Sequence, residues 1–341
     1  MKKVRIAIQG SGIIARYHAR ACKAIPDVEL VAAANWRAES LARFAKEWDI
    51  PRTTTSFAEL AADREIDAVI VTVPNYLHKG ETIRMLRAGK HVLVEKPMAM
   101  NAVEAQAMVE TAQATGRLLM VGHMWRFDNE VSWLQNTIAR GLLGEIVRTK
   151  GYAIHPPGTG PKGWFNERAK AGGGVIMDMA IHAVDTARFL MGDPLPTKVY
   201  AHASTRFSSI EVEDNATFTM DWDNGAYSII ESAAWQPFAE APEGGAQVWG
   251  TRGYGRTFPS ELHLSLGDVL GTFTPDFPTR VEQCDWPMYQ RQISHFASCI
   301  RNGTQPKPGS AEGLVLMKVM DAVYKSVATG AVVSINHGVH T

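Results

Sequence analysis

The sequence predicts an α/β protein of two domains: a parallel sheet covered by helices on both faces, then an α/β domain built on a mostly antiparallel sheet. Over the first third, short continuous apolar runs alternate with helical stretches, as expected of parallel strands buried on both faces. After about Arg126, strand-like runs follow one another without intervening helices, which argues for antiparallel pairing. The 341 residues are long for one core and comfortable for two domains, placed here at 1–125 and 126–341.

The first strand is VRIAIQG (Val4 to Gly10). The apolar run after the initial lysines is too short for a signal peptide and leads into a glycine turn, not a cleavage pattern. A helix from Ile13 to Ala24 follows, then the strand VELVAAAN (Val28 to Asn35) and a helix from Glu39 to Trp48. IDAVIVTV (Ile66 to Val73) and HVLVEK (His91 to Lys96) read as two more buried strands, and the helical ETIRMLRAG between them is closed by Gly89. A helix from about Val103 to Ala114 and the strand RLLMVGH (Arg117 to His123) complete this part.

In the second domain a helix over Val131 to Leu142 leads into the strand EIVRTKGYAI (Glu145 to Ile154). The Pro/Gly-rich loop HPPGTGPKGW then brings the chain to GGGVIMDMAIH (Gly172 to His182), read as a glycine run entering an apolar helix. Strand-like runs lie near Val199–Thr205, Thr217–Trp222 and Tyr227–Ser232, with a weaker one near His263–Leu266. Two helices, about Met288–Arg301 and Ala311–Ala328, close the chain.

Composition excludes several classes of function. Lys+Arg and Asp+Glu are equal at 35 each, which gives no electrostatic case for nucleic acid or an anionic membrane. No apolar stretch approaches the ~18 residues of a membrane span. Cys22, Cys284 and Cys299 are far apart and form no CxxC pair, so neither a zinc site nor a redox pair is expected. Sparse cysteines suit a reducing compartment, and the expected location is the cytoplasm.

The turn GSGIIA, Gly10 to Ala15, fits G-x-G-x-x-A between a strand and a helix. Gly10 permits the tight turn, Gly12 lets a pyrophosphate approach the backbone, and Ala15 keeps helix and strand close. The helix N-terminus at Ile13 and Ile14 then faces the phosphates. A dinucleotide is therefore expected, on a Rossmann domain. The second strand ends Asn35-Trp36-Arg37, without the carboxylate that binds the free ribose hydroxyls of NAD. Asn35 does not repel a 2′-phosphate, Arg37 can pair with it and Trp36 can cover the adenine, so NADP(H) is favoured with NAD(H) left open.

Asp178 and His182 stand four residues apart, which on a regular helix places them on one face. A surface pair or a satisfied structural pair is the ordinary meaning of such spacing, and no third ligand points to a metal. Met177, Met179 and Trp249 read as packing.

Further motifs add a family resemblance. VTVPNYLH (Val71 to His78) puts Pro74-Asn75 at a strand end and His78 in the next helix, and VLVEKP (Val92 to Pro97) ends a strand on Glu95-Lys96-Pro97. With GSGIIA, the G-G-G-x3-D-x3-H segment and the closing TGAVVSI, the chain resembles the Gfo/Idh/MocA oxidoreductases over essentially its whole length, nearest their sugar reductase-like branch.

The resemblance implies a Rossmann domain followed by an α/β domain with an open sheet, a nicotinamide cofactor, and catalysis by Lys96, His182 and Asp178, the last as a substrate-orienting or assisting carboxylate. It implies cofactor contacts from Gly10, Gly12, Ile13, Ile14, Asn35, Trp36, Arg37, Pro74, Asn75, His78, Glu95, Lys96 and Trp164, and a cis bond before Pro97. Arg126, His155 and Tyr289 join Lys96, Asp178 and His182 as candidate substrate contacts, and His123 is a further candidate. Trp125, ahead of Arg126, departs from the polar or basic residue of many members.

The expected function is hydride transfer between NADP(H) and a carbon of a sugar, sugar derivative or cyclitol, by a homo-dimer or homo-tetramer with a small polyhydroxylated substrate. Redox-neutral glycoside cleavage and a non-catalytic dinucleotide sensor are the alternatives. Imidazole titrates near neutrality, which makes His182 the natural proton acceptor; Lys96 is a second candidate for proton transfer or, if charged, stabilises a developing alkoxide.

Overall fold

The computed structural model describes residues 3–155, 162–234, 244–278 and 286–337. The chain divides into two compact units, Met1–Met124 with Asp285–Met317, and Trp125–Cys284 with Lys318–Thr341.

The first unit begins β1 (Val4–Gln9), α1 (Ile13–Lys23), β2 (Val28–Ala34), α2 (Ala38–Glu47), β3 (Arg52–Thr54) and α3 (Phe57–Ala62). It continues β4 (Ala68–Val71), α4 (Asn75–Arg87), β5 (His91–Glu95), α5 (Ala102–Thr115) and β6 (Leu119–Gly122). The strands lie in the order β3-β2-β1-β4-β5-β6, each neighbouring pair parallel. Ile6, Ala7 and Ile8 of β1 and all of β4 are buried, as continuous apolar runs covered on both faces must be. The strand order changes direction between β1 and β4, so the loops leaving their C-terminal ends diverge and open a crevice.

One helix start and two short elements differ from the sequence reading. Helix α4 starts at Asn75, with Pro74 as its N-cap residue, well before the ETIRMLRAG stretch. It ends as expected at Gly89, whose φ of +81° lets the amides of Gly89 and Lys90 bond Leu86 O and Met85 O at 2.9 and 3.0 Å. Elements β3 and α3, three and six residues long, are too short for periodicity to reveal them.

The second unit runs α6 (Asn129–Ala139), β7 (Ile146–His155), α7 (Arg168–Ala171), α8 (Ile181–Leu190), β8 (Pro196–Ser204), β9 (Asn215–Trp222) and β10 (Tyr227–Ala234). Then come β11 (Gly244–Gly250), β12 (Gly253–Arg256), β13 (Glu261–Leu266) and β14 (Val269–Phe273). The chain closes with α9 (Trp286–Asn302), α10 (Ser310–Thr329) and β15 (Val333–Ser334). The sheet order is β14-β13-β12-β11-β7-β10-β9-β8-β15. Among the described strands β7 and β10 pair in parallel and the other neighbours antiparallel.

Strand β9 alternates buried Ala216, Phe218, Met220 and Trp222 with more exposed neighbours, the period-2 pattern of a sheet with one covered face. Helix α8 covers that face closely because Gly151 of β7 has no side chain: a Cβ there would stand 2.9 Å from Ala183 O. Beside α8, Val131, Leu134, Leu190, Val248, Phe258 and Leu262 pack into one core cluster. The glycine-rich β11 is absent from the sequence reading. Its pairing with β7 and β12 on either side overrides its poor intrinsic propensity.

The reading also placed α9 with the second domain, whereas α9 belongs to the first unit. Its Tyr289 stacks on Tyr17 of α1 at 5.2 Å, and Arg20 of α1 lies over the Trp286 ring at 4.7 Å. An amphipathic helix shows its apolar face in sequence but not which core that face completes. No helix among the described residues is long and apolar enough to cross a membrane.

Candidate functional site

In the first unit, β1 ends on Gly10, with φ +116° and its amide bonded to Ala34 O at 2.8 Å. A Cβ at Gly10 would stand 2.7 Å from Thr72 O, so only glycine fits where β1 meets β4. Gly12 is the N-cap of α1, accepts no side-chain cap bond, and a Cβ built on it meets nothing within 4 Å. The first-turn amides of α1 thus lack a side-chain cap and face open space, with Ile13 76% exposed beside them and Ile14 half-buried. This cradle fits a pyrophosphate, which needs unpaired amides, helix-dipole charge and close approach.

At the end of β2, the buried Asn35 donates through Nδ2 to Ser11 Oγ and accepts from the Arg37 amide at 3.4 Å. Ser11 Oγ in turn lies 2.8 Å from Ser40 Oγ. The glycine turn and the start of α2 are therefore linked through Asn35. Arg37 is exposed at the N-cap of α2, and the half-exposed Trp36 meets Phe57 edge-on at 5.8 Å.

Further along this sheet edge, Asn75 is buried at the start of α4 and His78 lies one turn on. The two ring nitrogens of His78 lie 2.7 Å from Pro97 O and 2.8 Å from Val73 O. Burial pushes its pKa down, against the two carbonyls, which favour the charged ring. The ring ties the loop after β4 to the turn after β5. Glu95 Oε1 lies 2.6 Å from His18 Nε2, and Glu95 Oε2 accepts from the Lys96 amide at 3.3 Å. Lys96 is half-buried at the end of β5, and the Lys96–Pro97 peptide is cis. His18 meets Tyr289 edge-on at 5.1 Å. Tyr289, a candidate substrate contact, is 1% exposed and packs into this buried cluster.

In the second unit the glycine run has a steric cause. Side chains at Gly173 and Gly174 would collide with Tyr324 Oη and with Glu213 O. Glu213 Oε1 accepts from the amides of Gly174 and Ile176 at 2.7 and 3.2 Å and from Tyr324 Oη at 2.7 Å. Burial, with Glu213 adding to it, holds the Tyr324 phenol well above its ordinary pKa, so it stays a donor. The segment launched there is a π-helical turn, Ile176–Ala180, running into α8. The regular α-helical spacing assumed for Asp178 and His182 is thus corrected: the wider turn rotates one against the other relative to an i,i+4 pair. Asp178 Oδ2 lies 3.6 Å from His155 Nε2, and the buried His182 ring lies 5.0 Å from that of Trp125.

Arg126, a candidate substrate contact, is ion-paired within the second unit. It is buried, with Nη2 at 2.7 Å from Asp185 of α8 and 2.8 Å from Asp193. Burial alone would lower its pKa, but the two carboxylates outweigh it and raise it. Trp164 stacks on Phe165 at 3.8 Å in a short 3-10 turn, Gly163–Asn166. Residues 156–161 of the Pro/Gly-rich loop before it lie outside the described residues. His123 is buried at the end of the β6 segment. A hollow of about 470 Å³ lined by Phe207, Asn215, Thr217 and Glu231 opens on the second unit's sheet, and none of the expected site residues lines it.

His18, Ser11, Ser40 and Glu213 went unread in the sequence. A polar residue at a core-facing position of an apolar helix was the available signal for His18; nothing local marks Glu213.

Comparison with known proteins agrees with this geometry. The family model "Oxidoreductase family, NAD-binding Rossmann fold" of the GFO/IDH/MocA set matches residues 4–123, and the GFO/IDH/MocA C-terminal domain matches 131–256. The chain is 32% identical over 317 residues to the 1,5-anhydro-D-fructose reductase of Ensifer adhaerens, covering 91% of this chain and 92% of that one. It is 29% identical to the scyllo-inositol 2-dehydrogenase (NAD(+)) of Bacillus subtilis (strain 168), covering 98% and 97%. Among solved structures, the aldose-aldose oxidoreductase from Caulobacter crescentus, complexed with glycerol, superposes with a TM-score of 0.85 at 28% identity, over 98% of this chain and 100% of that one.

Proposed function

The chain belongs to the Gfo/Idh/MocA family of NAD(P)-dependent oxidoreductases, and from that premise we propose that it is an NADP(H)-preferring dehydrogenase or reductase of a sugar, sugar derivative or cyclitol. The observation that carries the reading is the buried imidazole of His182, held on α8 after a π-helical turn that also presents Asp178. A proton acceptor on a rigid element is what alcohol oxidation needs from the protein. Relatives named as a 1,5-anhydro-D-fructose reductase and a scyllo-inositol dehydrogenase support a polyhydroxylated substrate.

What the bound nicotinamide supplies is a hydride acceptor or donor at carbon. Gly10, Gly12 and the first amides of α1 would hold the pyrophosphate, and Asn35, Trp36 and Arg37 the adenosine end. His182 takes the hydroxyl proton during oxidation and returns it during reduction. Lys96 donates to the developing alkoxide and stabilises its charge. Asp178, beside His155, accepts from a neighbouring hydroxyl and orients the ring. The NADP(H) preference is supported by the carboxylate-free end of β2, where Asn35 is committed to Ser11 and Arg37 stands exposed.

The test is fluorescence titration with NADPH and NADH, followed by a turnover screen of each complex with ketoses, aldoses, inositols and anhydrosugars, 1,5-anhydro-D-fructose among them. Tighter NADPH binding and turnover of one panel member are expected. Binding without any turnover would move the weight to redox-neutral glycoside cleavage or to sensing. Equal affinity for both cofactors would remove the NADP(H) preference.

A further inference from the structure

The proton transfer assigned to His182 depends on the direction in which its ring points. Trp125 faces that ring, with centroids 5.0 Å apart and planes inclined by 32°. An indole so placed covers one face of the imidazole and restricts its rotamers. Trp125 is itself fully buried, and its Nε1 has no hydrogen-bond partner among the described residues. A Phe or Leu would fill space there without burying an unpaired N–H, so volume alone does not explain a tryptophan at this position.

Behind the indole stands Phe258, edge-on at 6.2 Å and 64°. Its backbone has φ +58°, the left-handed region that a bulky residue rarely enters. Glu130, buried on α6, holds that turn: its Oε2 accepts from the Phe258 amide at 3.1 Å and from Ser260 Oγ at 2.8 Å. A left-handed aromatic residue, fixed by a buried carboxylate and aimed at the ring that covers His182, is a support maintained against local preference.

We propose that Trp125 is a positioning residue for His182, clamped from behind by the Glu130–Phe258 turn, and that it holds the imidazole in the orientation in which it exchanges a proton with the substrate hydroxyl. The inference rests on His182 being the acid–base group.

The test uses the full-length protein with histidine labelled at 13Cε1, the His182 signal being the one lost in His182→Gln. Ring current from the indole shifts the wild-type signal upfield. In Trp125→Leu that signal moves downfield and broadens as the ring samples more rotamers, while Trp125→Phe keeps most of the shift and a sharp line. With the fastest-turned-over member of the substrate panel and saturating NADPH, Trp125→Leu lowers kcat by roughly 10- to 100-fold, with KM changed by less than about threefold. Trp125→Phe recovers kcat to within about fivefold, and NADPH affinity stays within about twofold of wild type throughout.

A His182 signal that is sharp and unmoved in Trp125→Leu, or a folded Trp125→Leu with wild-type kcat, overturns the proposal. If Trp125→Leu does not fold, Phe258→Leu must show the same broadening and a smaller loss of kcat, and its failure to do so has the same force. His182→Gln separates the two claims. Full turnover in that variant removes the acid–base reading as well, whereas its inactivity beside an unimpaired Trp125→Leu removes only the positioning role.

Discussion

The two units hold their candidate residues by different means. In the first unit the cofactor cradle is mainly backbone: Gly10 at a φ of +116°, the uncapped first turn of α1, and strand ends that diverge because of the sheet order. In the second unit the helix that carries His182 is held by side chains, many of them buried and charged. Glu213 holds its start, Arg126 grips Asp185 and Asp193 alongside it, and Glu130 clamps the turn behind Trp125. Backbone cradles tolerate surface change. A scaffold of buried charges does not, because removing one partner leaves the other desolvated and unpaired.

The comparison breaks most sharply at Arg126. Arg126→Leu removes the guanidinium that the buried Asp185 meets at 2.7 Å, while Asp193, held at φ +65°, keeps its pair with Arg188 at 3.1 Å among the described residues. The expected loss is about 3–5 kcal/mol of unfolding free energy, read as a lower urea midpoint. NADPH affinity, measured on the folded fraction at low temperature, should stay within about twofold, since the cradle belongs to the other unit. A variant as stable as wild type would show that the buried pair does not support the helix.

Glu213→Gln probes the same half more gently. The amide keeps the volume and one acceptor, but loses the charge that receives three hydrogen bonds from Gly174, Ile176 and Tyr324. About 1.5–3 kcal/mol should be lost. Hydrogen exchange should accelerate at the amides of Gly174 and Ile176 before it does in β1 or β4. Uniform acceleration across both units would mean that the anchor is not local.

The same contrast explains what was legible in the sequence. GSGIIA, the Asn35-Trp36-Arg37 strand end and the Glu95-Lys96-Pro97 turn are short, contiguous and dictated by backbone geometry, so local pattern exposes them. The parallel strands were legible because residues such as Val69 and Ile70 must be apolar on both faces. Glu213 acts on a glycine 39 positions earlier, and Arg126 on an aspartate 59 positions later. Nothing in either local stretch announces the partner, and so Arg126 read as a substrate contact and Glu213 did not read at all. The π-helical turn at Ile176–Ala180 escaped for a related reason. Its residues are ordinary helix formers, and the irregularity coincides with the packing of Gly173 and Gly174 against Tyr324 and Glu213. Tyr289 was assigned to the wrong unit because an amphipathic helix carries no address.

The smallest predicted effect sharpens the comparison from the other side. Arg37 is exposed at the N-cap of α2 and supports no core, so Arg37→Ala should leave the unfolding midpoint within error of wild type. Under the proposed NADP(H) preference its guanidinium would pair with the 2′-phosphate, and a contribution of about 1.4 kcal/mol corresponds to a tenfold change in Kd. NADPH should therefore bind about tenfold more weakly while NADH changes by less than about twofold. Salt should mimic the substitution, weakening NADPH in the wild type and barely affecting it in Arg37→Ala, because an exposed pair is screened. Equal losses for both cofactors would instead place Arg37 in the folding of the Asn35–Ser11–Ser40 link, making that corner of the cradle depend on side chains as the catalytic half does.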